Sequence, residues 1–229
     1  MTNDNNNQQH NILKGYNMLL YFAGTMIMYE PSEECIVDFW KEGILKKLPV
    51  SSLNPNFMKA ESQLKESCTD KSSDTSAMSE DYYRLFKSET LPLAPFYESF
   101  YNEAINSAGK TNLPVVTEFY DSYGWKSKFR PEMKDDHLGI ELLFLTILVE
   151  KYMTLDDEAC RREMRNEIRR FLDQHILSWI YEWNRRVQEN SFTISYKGIA
   201  SLILACSEDI HSILMNSNEL TSQPDYLKN

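Results

Sequence analysis

The sequence predicts an all-α protein, a compact bundle of about eight to ten helices, and three observations lead there. Seven glycines and eight prolines in 229 residues are roughly half of the ~12% that average usage supplies. Sheets need a turn every ~8–12 residues, and turns consume both residue types. From Glu132 to Gln223 there is no proline, and only Gly139 and Gly198 interrupt that stretch. Apolar residues recur at steps of three and four, the period of one helix face.

Taken in order, residues 1–10 are rich in Asn and Gln and read as a disordered tail. Residues 11–229 read as one helical domain, with two lobes (11–110 and 111–229) around a hinge left open. Leu13, Tyr16, Leu20, Ala23 and Ile27 mark a helix from Ile12 to about Tyr29. Pro31-Ser32-Glu33-Glu34 opens a second helix, with proline in the first turn and acids at the positive end of the dipole; it runs to about Leu48. A third, Phe57 to Ser67, gives way to a polar loop from Lys71 to Ala77. Ser79 caps a short helix through Phe86. Pro92 and Pro95 then force extended backbone at Leu91 and Ala94.

Glu98 to Ser107 and Pro114 to Tyr123 read as helices, the latter closed by Gly124. The segment from Trp125 to Asp135 is a loop containing Pro131. Asp136 caps the next helix, whose stripe is Leu138, Leu142, Leu145, Val149 and Tyr152. Another carries Ile168, Leu172, Trp179 and Trp183. The last steps through Phe192, Tyr196, Ile199, Ile203, Cys206, Ile210 and Ile213. No repeat of 20–50 residues suggests a solenoid.

The formal charge is −10 and the pI about 5.0. That argues against nucleic acid, whose phosphates need a basic face, and favours a basic peptide as partner. Cys35, Cys68, Cys160 and Cys206 are widely spaced with no C-x-x-C, which reads as reduced thiols in the cytoplasm. The N-terminus lacks the cationic region of a signal peptide. Purely apolar runs such as Leu142–Leu145 fall far short of the ~20 residues of a membrane span, so no stable membrane insertion is expected.

Phosphate-cradling, zinc-hydrolase and nucleophile-elbow motifs are all missing from the sequence. One Glu-x-x-His, Glu208 to His211, reads as a surface pair, because a helical two-metal site needs two such motifs facing inward. His137 and Glu141, four apart, share one helix face behind Asp136, and read as a local pair or as the polar lip of a groove. His175 lies on an apolar stripe and reads as a packed, hydrogen-bonded core residue. The arginines from Arg161 to Arg170 alternate with acids and read as a solvated face. Most of the aromatics from Tyr82 to Trp125 read as core, and a surplus beside the two proline loops would suit a peptide groove.

Four segments then fall in a familiar order: Asp81-Tyr-Tyr-Arg-Leu-Phe86, Ala94-Pro-Phe-Tyr-Glu-Ser-Phe-Tyr101, Pro131 with Asp136-His-Leu-Gly-Ile-Glu-Leu-Leu-Phe-Leu145, and Phe171-Leu-Asp-Gln-His-Ile-Leu-Ser-Trp179. Between about Tyr82 and Leu204 the chain resembles the TorD/DmsD family, cytoplasmic chaperones for molybdenum-cofactor oxidoreductases. It departs from the family pattern at Lys87-Ser88, where a glycine usually follows the Leu-Phe pair. The resemblance implies an all-helical TorD-like fold and no catalysis or cofactor of its own. Its partner would be the twin-arginine leader of an apo-molybdoenzyme, with a homodimer allowed. It also implies that Pro131, Asp136 and His137 contact the leader, with Pro95, Tyr97, Glu98, Ser99 and Tyr101 near the same groove. Physically, the leader's apolar stretch would lie in an apolar groove, and its arginines would meet carboxylates around Asp135, Asp136 and Glu141. Two other readings remain open: a small helical metal-binding protein using Asp136, His137, Glu141, Glu208 and His211, and a generic helical interaction scaffold.

Overall fold

The computed structural model describes residues 2–32, 44–69, 74–107, 115–129 and 131–219. Among them are nine α-helices and no strand: α1 (Thr2–Met28), α2 (Pro55–Ser67), α3 (Thr75–Tyr82), α4 (Glu98–Ser107), α5 (Val116–Ser122), α6 (Leu138–Thr154), α7 (Glu158–Phe171), α8 (Ile180–Asn190) and α9 (Ile194–Glu219). The chain is all-α, as its composition requires.

Two helices form the middle of the bundle. On α6, Leu138, Ile140, Leu142, Phe144, Leu145, Leu148, Val149 and Tyr152 are all buried, too many for one stripe, so the helix is enclosed on several sides. The stretch from Tyr196 to Leu214 on α9 is buried in the same way. By length and composition Ile194–Met215 could cross a membrane, but 67% of its most apolar window is buried inside the protein. Around this pair, α1 packs on α6 and α9, α2 on α9, and α7 and α8 close the remaining sides. Each Leu or Ile fully buried there contributes roughly 1.5–3 kcal/mol.

Several elements differ from the sequence reading. Helix α1 begins at Thr2, so residues 2–10 extend the helix instead of forming a tail. Once a helix is nucleated by packing, each added residue costs little, and His10 meets the Arg161 guanidinium at 3.4 Å. The helix expected from Pro31 to Leu48 lies mostly outside the described residues; its described end is a short 3-10 turn, Ile44–Lys46. The loop expected from Lys71 lies outside them up to residue 73. Asp74, not Ser79, caps α3, its carboxylate accepting the Ala77 amide at 2.8 Å. The Pro114 end of the next helix also lies outside. Gly124 closes α5 with φ +61°, and the Trp125 amide reaches back to the Tyr120 carbonyl at 3.0 Å, as a Schellman ending requires.

The helix expected to carry both Ile168 and Trp183 is broken by a π turn at Leu172–Ile176. The break lets His175 and Trp179 both enter the core, with the indole N–H donating to the His175 carbonyl at 2.6 Å. The arginine run is only partly solvated. Arg161 and Arg165 are buried. Arg161 lies 5.1 Å over the Tyr152 ring, and Arg165 pairs with Glu158 at 3.0 Å.

Candidate functional site

The loop after α5 and the extended strand of chain before α4 meet edge to edge. The Glu98 amide donates to the Asp136 carbonyl at 2.9 Å and the Leu138 amide to the Phe96 carbonyl at 2.8 Å. Between them Tyr97 and His137 form an isolated antiparallel bridge. This short zipper brings the N-termini of α4 and α6 together, and each start is capped by a residue of the Asp-His step. His137, not Asp136, caps α6: its Nδ1 accepts the Gly139 amide at 3.0 Å. Asp136 instead caps α4 across the zipper, its Oδ2 accepting the Ser99 amide at 3.1 Å.

His137 is 1% exposed and sits 4.1 Å from the Phe96 ring, with Tyr97 edge-on at 5.4 Å. Burial, reinforced by the Lys87 charge, pushes its pKa down to about 3, so the imidazole is neutral. Because Nδ1 accepts, Nε2 carries the hydrogen, and among the described residues no atom accepts it. Two lysines flank this aromatic group, Lys87 Nζ 5.7 Å above Phe96 and Lys134 Nζ 5.5 Å above Tyr97. Burial and the nearby Asp136 charge raise the Tyr97 phenol pKa.

Directly inside lies a buried polar layer. Glu98 accepts from Asn102 Nδ2 at 3.1 Å and lies 3.2 Å from His175 Nδ1. Glu141 is fully buried, and among the described residues neither of its oxygens completes a hydrogen bond of ordinary geometry, although Glu98 and Trp179 lie beside it. Burial first, then the charges of Glu98 and Asp136, push its pKa well above the ordinary carboxyl value, which favours the protonated form. His175 is the packed, hydrogen-bonded residue its position indicates.

The nine residues singled out by sequence therefore divide. Pro131 and Ser99 are exposed, and Tyr97 and Asp136 half-buried. Pro95, Glu98, Tyr101, His137 and Glu141 are buried; the Tyr101 hydroxyl donates to the Pro95 carbonyl at 2.8 Å, which pins the extended segment. His137 and Glu141 do not pair: one caps α6 and the other points into the core. The expected carboxylate rim also changes. Asp135 is buried at 8% exposure and Glu141 is internal, so of the three only Asp136 reaches the edge, while Lys87 and Lys134 lie over the Phe96 and Tyr97 rings.

Sequence reasoning missed the apolar seam between α1 and α6. A cavity of about 240 Å³ is lined by Gly24, Met28, Tyr29, Phe129, Gly139 and Leu143, one turn from His137. A second, about 390 Å³, continues along the seam past Met18, Tyr21 and Met153. Met18 and Tyr21 are more than 60% exposed. Their signal was present: both are apolar residues off the core stripe of α1.

Among the described residues, no three His, Cys, Asp or Glu side chains are grouped to hold a metal ion. Glu208 accepts from Asn54 and Asn56, whereas His211 faces Asp173 at 3.0 Å.

The family profile of the nitrate reductase delta subunit matches residues 51–185, more than half of the chain. The chain belongs to the nitrate reductase delta subunit family. This is a family of molybdoenzyme maturation chaperones, consistent with the TorD/DmsD resemblance. The delta-subunit match takes in α2 through the first half of α8, and so includes Asp81, the zipper, the Asp-His step and His175. Helix α9 and the α1 wall of the seam lie outside it. Among curated proteins, none matches the chain significantly.

Proposed function

We propose that this chain binds the twin-arginine leader of an apo-molybdoenzyme in the cytoplasm and holds the enzyme back from export until its cofactor is inserted. The observation that carries this reading is the zippered junction of α4 and α6, where the half-buried Asp136 and Tyr97 adjoin the helix start whose Gly139 lines an apolar seam, in a delta-subunit family chain. A leader offers a cationic segment and an apolar stretch. The first suits the half-buried Asp136 carboxylate, and the second suits methionine and tyrosine walls that can adjust to different side chains. Ordering a disordered leader on this surface gives specificity at moderate affinity, which a chaperone that must release its client needs.

Affinity purification from native cells should recover a large molybdenum oxidoreductase subunit, and its leader peptide can then be titrated calorimetrically. Asp136→Ala should weaken that binding with the helical circular dichroism retained. Unchanged affinity would remove Asp136 from the site.

A further inference from the structure

We infer that the far end of the seam, between the first half of α1 and the last turns of α6, binds a single carboxylate group, which meets a hydrogen-bond donor on His10 backed by the buried charge of Arg161. The inference goes beyond the leader-binding reading and does not depend on it. A cavity of about 620 Å³ opens there, lined by His10, Asn11, Lys14, Glu150, Met153 and Thr154. Arg161 is 9% exposed, and among the described residues no carboxylate pairs with it and no acceptor meets its Nε. Its contacts are the Tyr152 hydroxyl at 3.3 Å, the Tyr152 ring, and His10 Nε2 at 3.4 Å. A buried cation without a counter-charge is costly, and the ring face offsets only part of that cost.

A guanidinium only donates, so His10 Nε2 accepts and Nδ1 carries the hydrogen, which no described residue accepts. Burial and the Arg161 charge lower the His10 pKa, which favours this neutral donor. Arg161 is thus a positioning residue: it fixes the tautomer of a ring that lines the cavity and places a positive charge behind it. The charge balance selects the ligand. Arg165 is already paired with Glu158 at 3.0 Å, and Lys14 and Glu150 line the cavity with opposite signs. The charge of Arg161 is left over, which matches a carboxylate and falls short of a phosphate at about −1.5 to −2. Met153 and the Lys14 stem give the body of the ligand an apolar wall. Lys14, Glu150 and Met153 also line the next cavity along the seam, so the site is open on that side, and a free acid and an acidic side chain of a bound polypeptide both reach it.

The probes are sodium hexanoate and the peptide acetyl-Leu-Glu-Leu-amide, each followed through the His10 ring signals by NMR at pH 8, with His10→Gln to identify those signals. Hexanamide, acetyl-Leu-Gln-Leu-amide and sodium chloride are the controls. The two acids should move the His10 signals saturably, and the controls should not. Arg161→Met should weaken that binding about tenfold. Lys14→Met, at an exposed position, should weaken it about threefold, which keeps the test intact if the loss of Arg161 unfolds the chain. Saturation with hexanoate should also shift the His10 titration upward, an effect that a purely structural Arg161 would not produce. Tighter binding of the peptide assigns the carboxylate to a polypeptide, and tighter binding of hexanoate assigns it to a free acid. Equal shifts from sodium chloride would mean charge screening alone, and amides that act as strongly as the acids would mean an apolar pocket. Either result overturns the inference, as does the absence of any response.

Discussion

Asp136 and Ser99, 37 residues apart in sequence, are joined by a 3.1 Å hydrogen bond from the Ser99 amide to the Asp136 carboxylate. The bond makes a loop residue the cap of a helix it does not belong to. The carboxylate meets the positive end of α4, so the fold and the candidate site share one side chain. Asp136→Ala should lower stability by about 1 kcal/mol through the lost cap. Asp136→Asn keeps an acceptor and loses the charge, so its melting temperature should stay within a degree or two of wild type while leader affinity falls. Thermal melts beside calorimetry test this, and equal binding by the Asn variant would mean that charge is not what the leader reads.

Glu141→Gln replaces a buried carboxyl group, whose pKa burial raises, with a neutral side chain of the same shape. The folded pKa is raised, so the folded state holds a proton that the unfolded chain releases above its ordinary value of 4.5. The wild type therefore loses stability as pH rises from there toward the raised folded pKa. The variant has no such loss. Urea unfolding should find the two similar near pH 4.5, with the variant gaining on wild type as pH rises from there; parallel pH profiles would show that the folded-state pKa of Glu141 is not raised.

Asp81 is fully buried and gathers the start of α9. Its carboxylate accepts the Ser191 hydroxyl at 2.6 Å, the Thr193 hydroxyl at 2.8 Å and the Thr193 amide at 3.0 Å, and Arg84 pairs with it at 3.2 Å. Asp81→Ala strands these donors in the interior, and should cost about 3–5 kcal/mol. Chemical denaturation measures it, and a loss below about 1 kcal/mol would contradict a central role for this carboxylate.

Where α1 crosses α6, Gly139 faces Met28 and the Gly24 carbonyl. A β-carbon on Gly139 would overlap the Met28 side chain, so Gly139→Ala should destabilise by about 1–3 kcal/mol despite alanine's better helix propensity. Met28→Ala in the same chain should restore part of the loss. A double-mutant cycle without such coupling would mean that the crossing yields by backbone movement.

Much of the architecture was legible before any coordinates. Glu98 to Ser107 reads from its pattern with both ends correct, and Gly124 ends α5 as its position after an apolar run suggests. Local signals misplace what depends on a partner. Ser79 looks like a cap, yet Asp74 is the one that reaches an amide. Arg161 and Arg165 look solvated because their neighbours in sequence are acids, while their neighbours in space are Tyr152 and Glu158. Asp136 looks like the cap of α6, and its partner proves to be Ser99.

The sequence by itself determined the helical class, the apolar stripes of α6 and α9, and the four segments that carry the family resemblance, because periodicity and composition are properties of neighbours along the chain. Only the tertiary structure decided which of the site residues meet solvent, that Glu141 is buried beside Glu98, and that an apolar seam runs from Gly139 along α1. Burial and charge proximity are set by segments distant in the chain, and no local pattern encodes them.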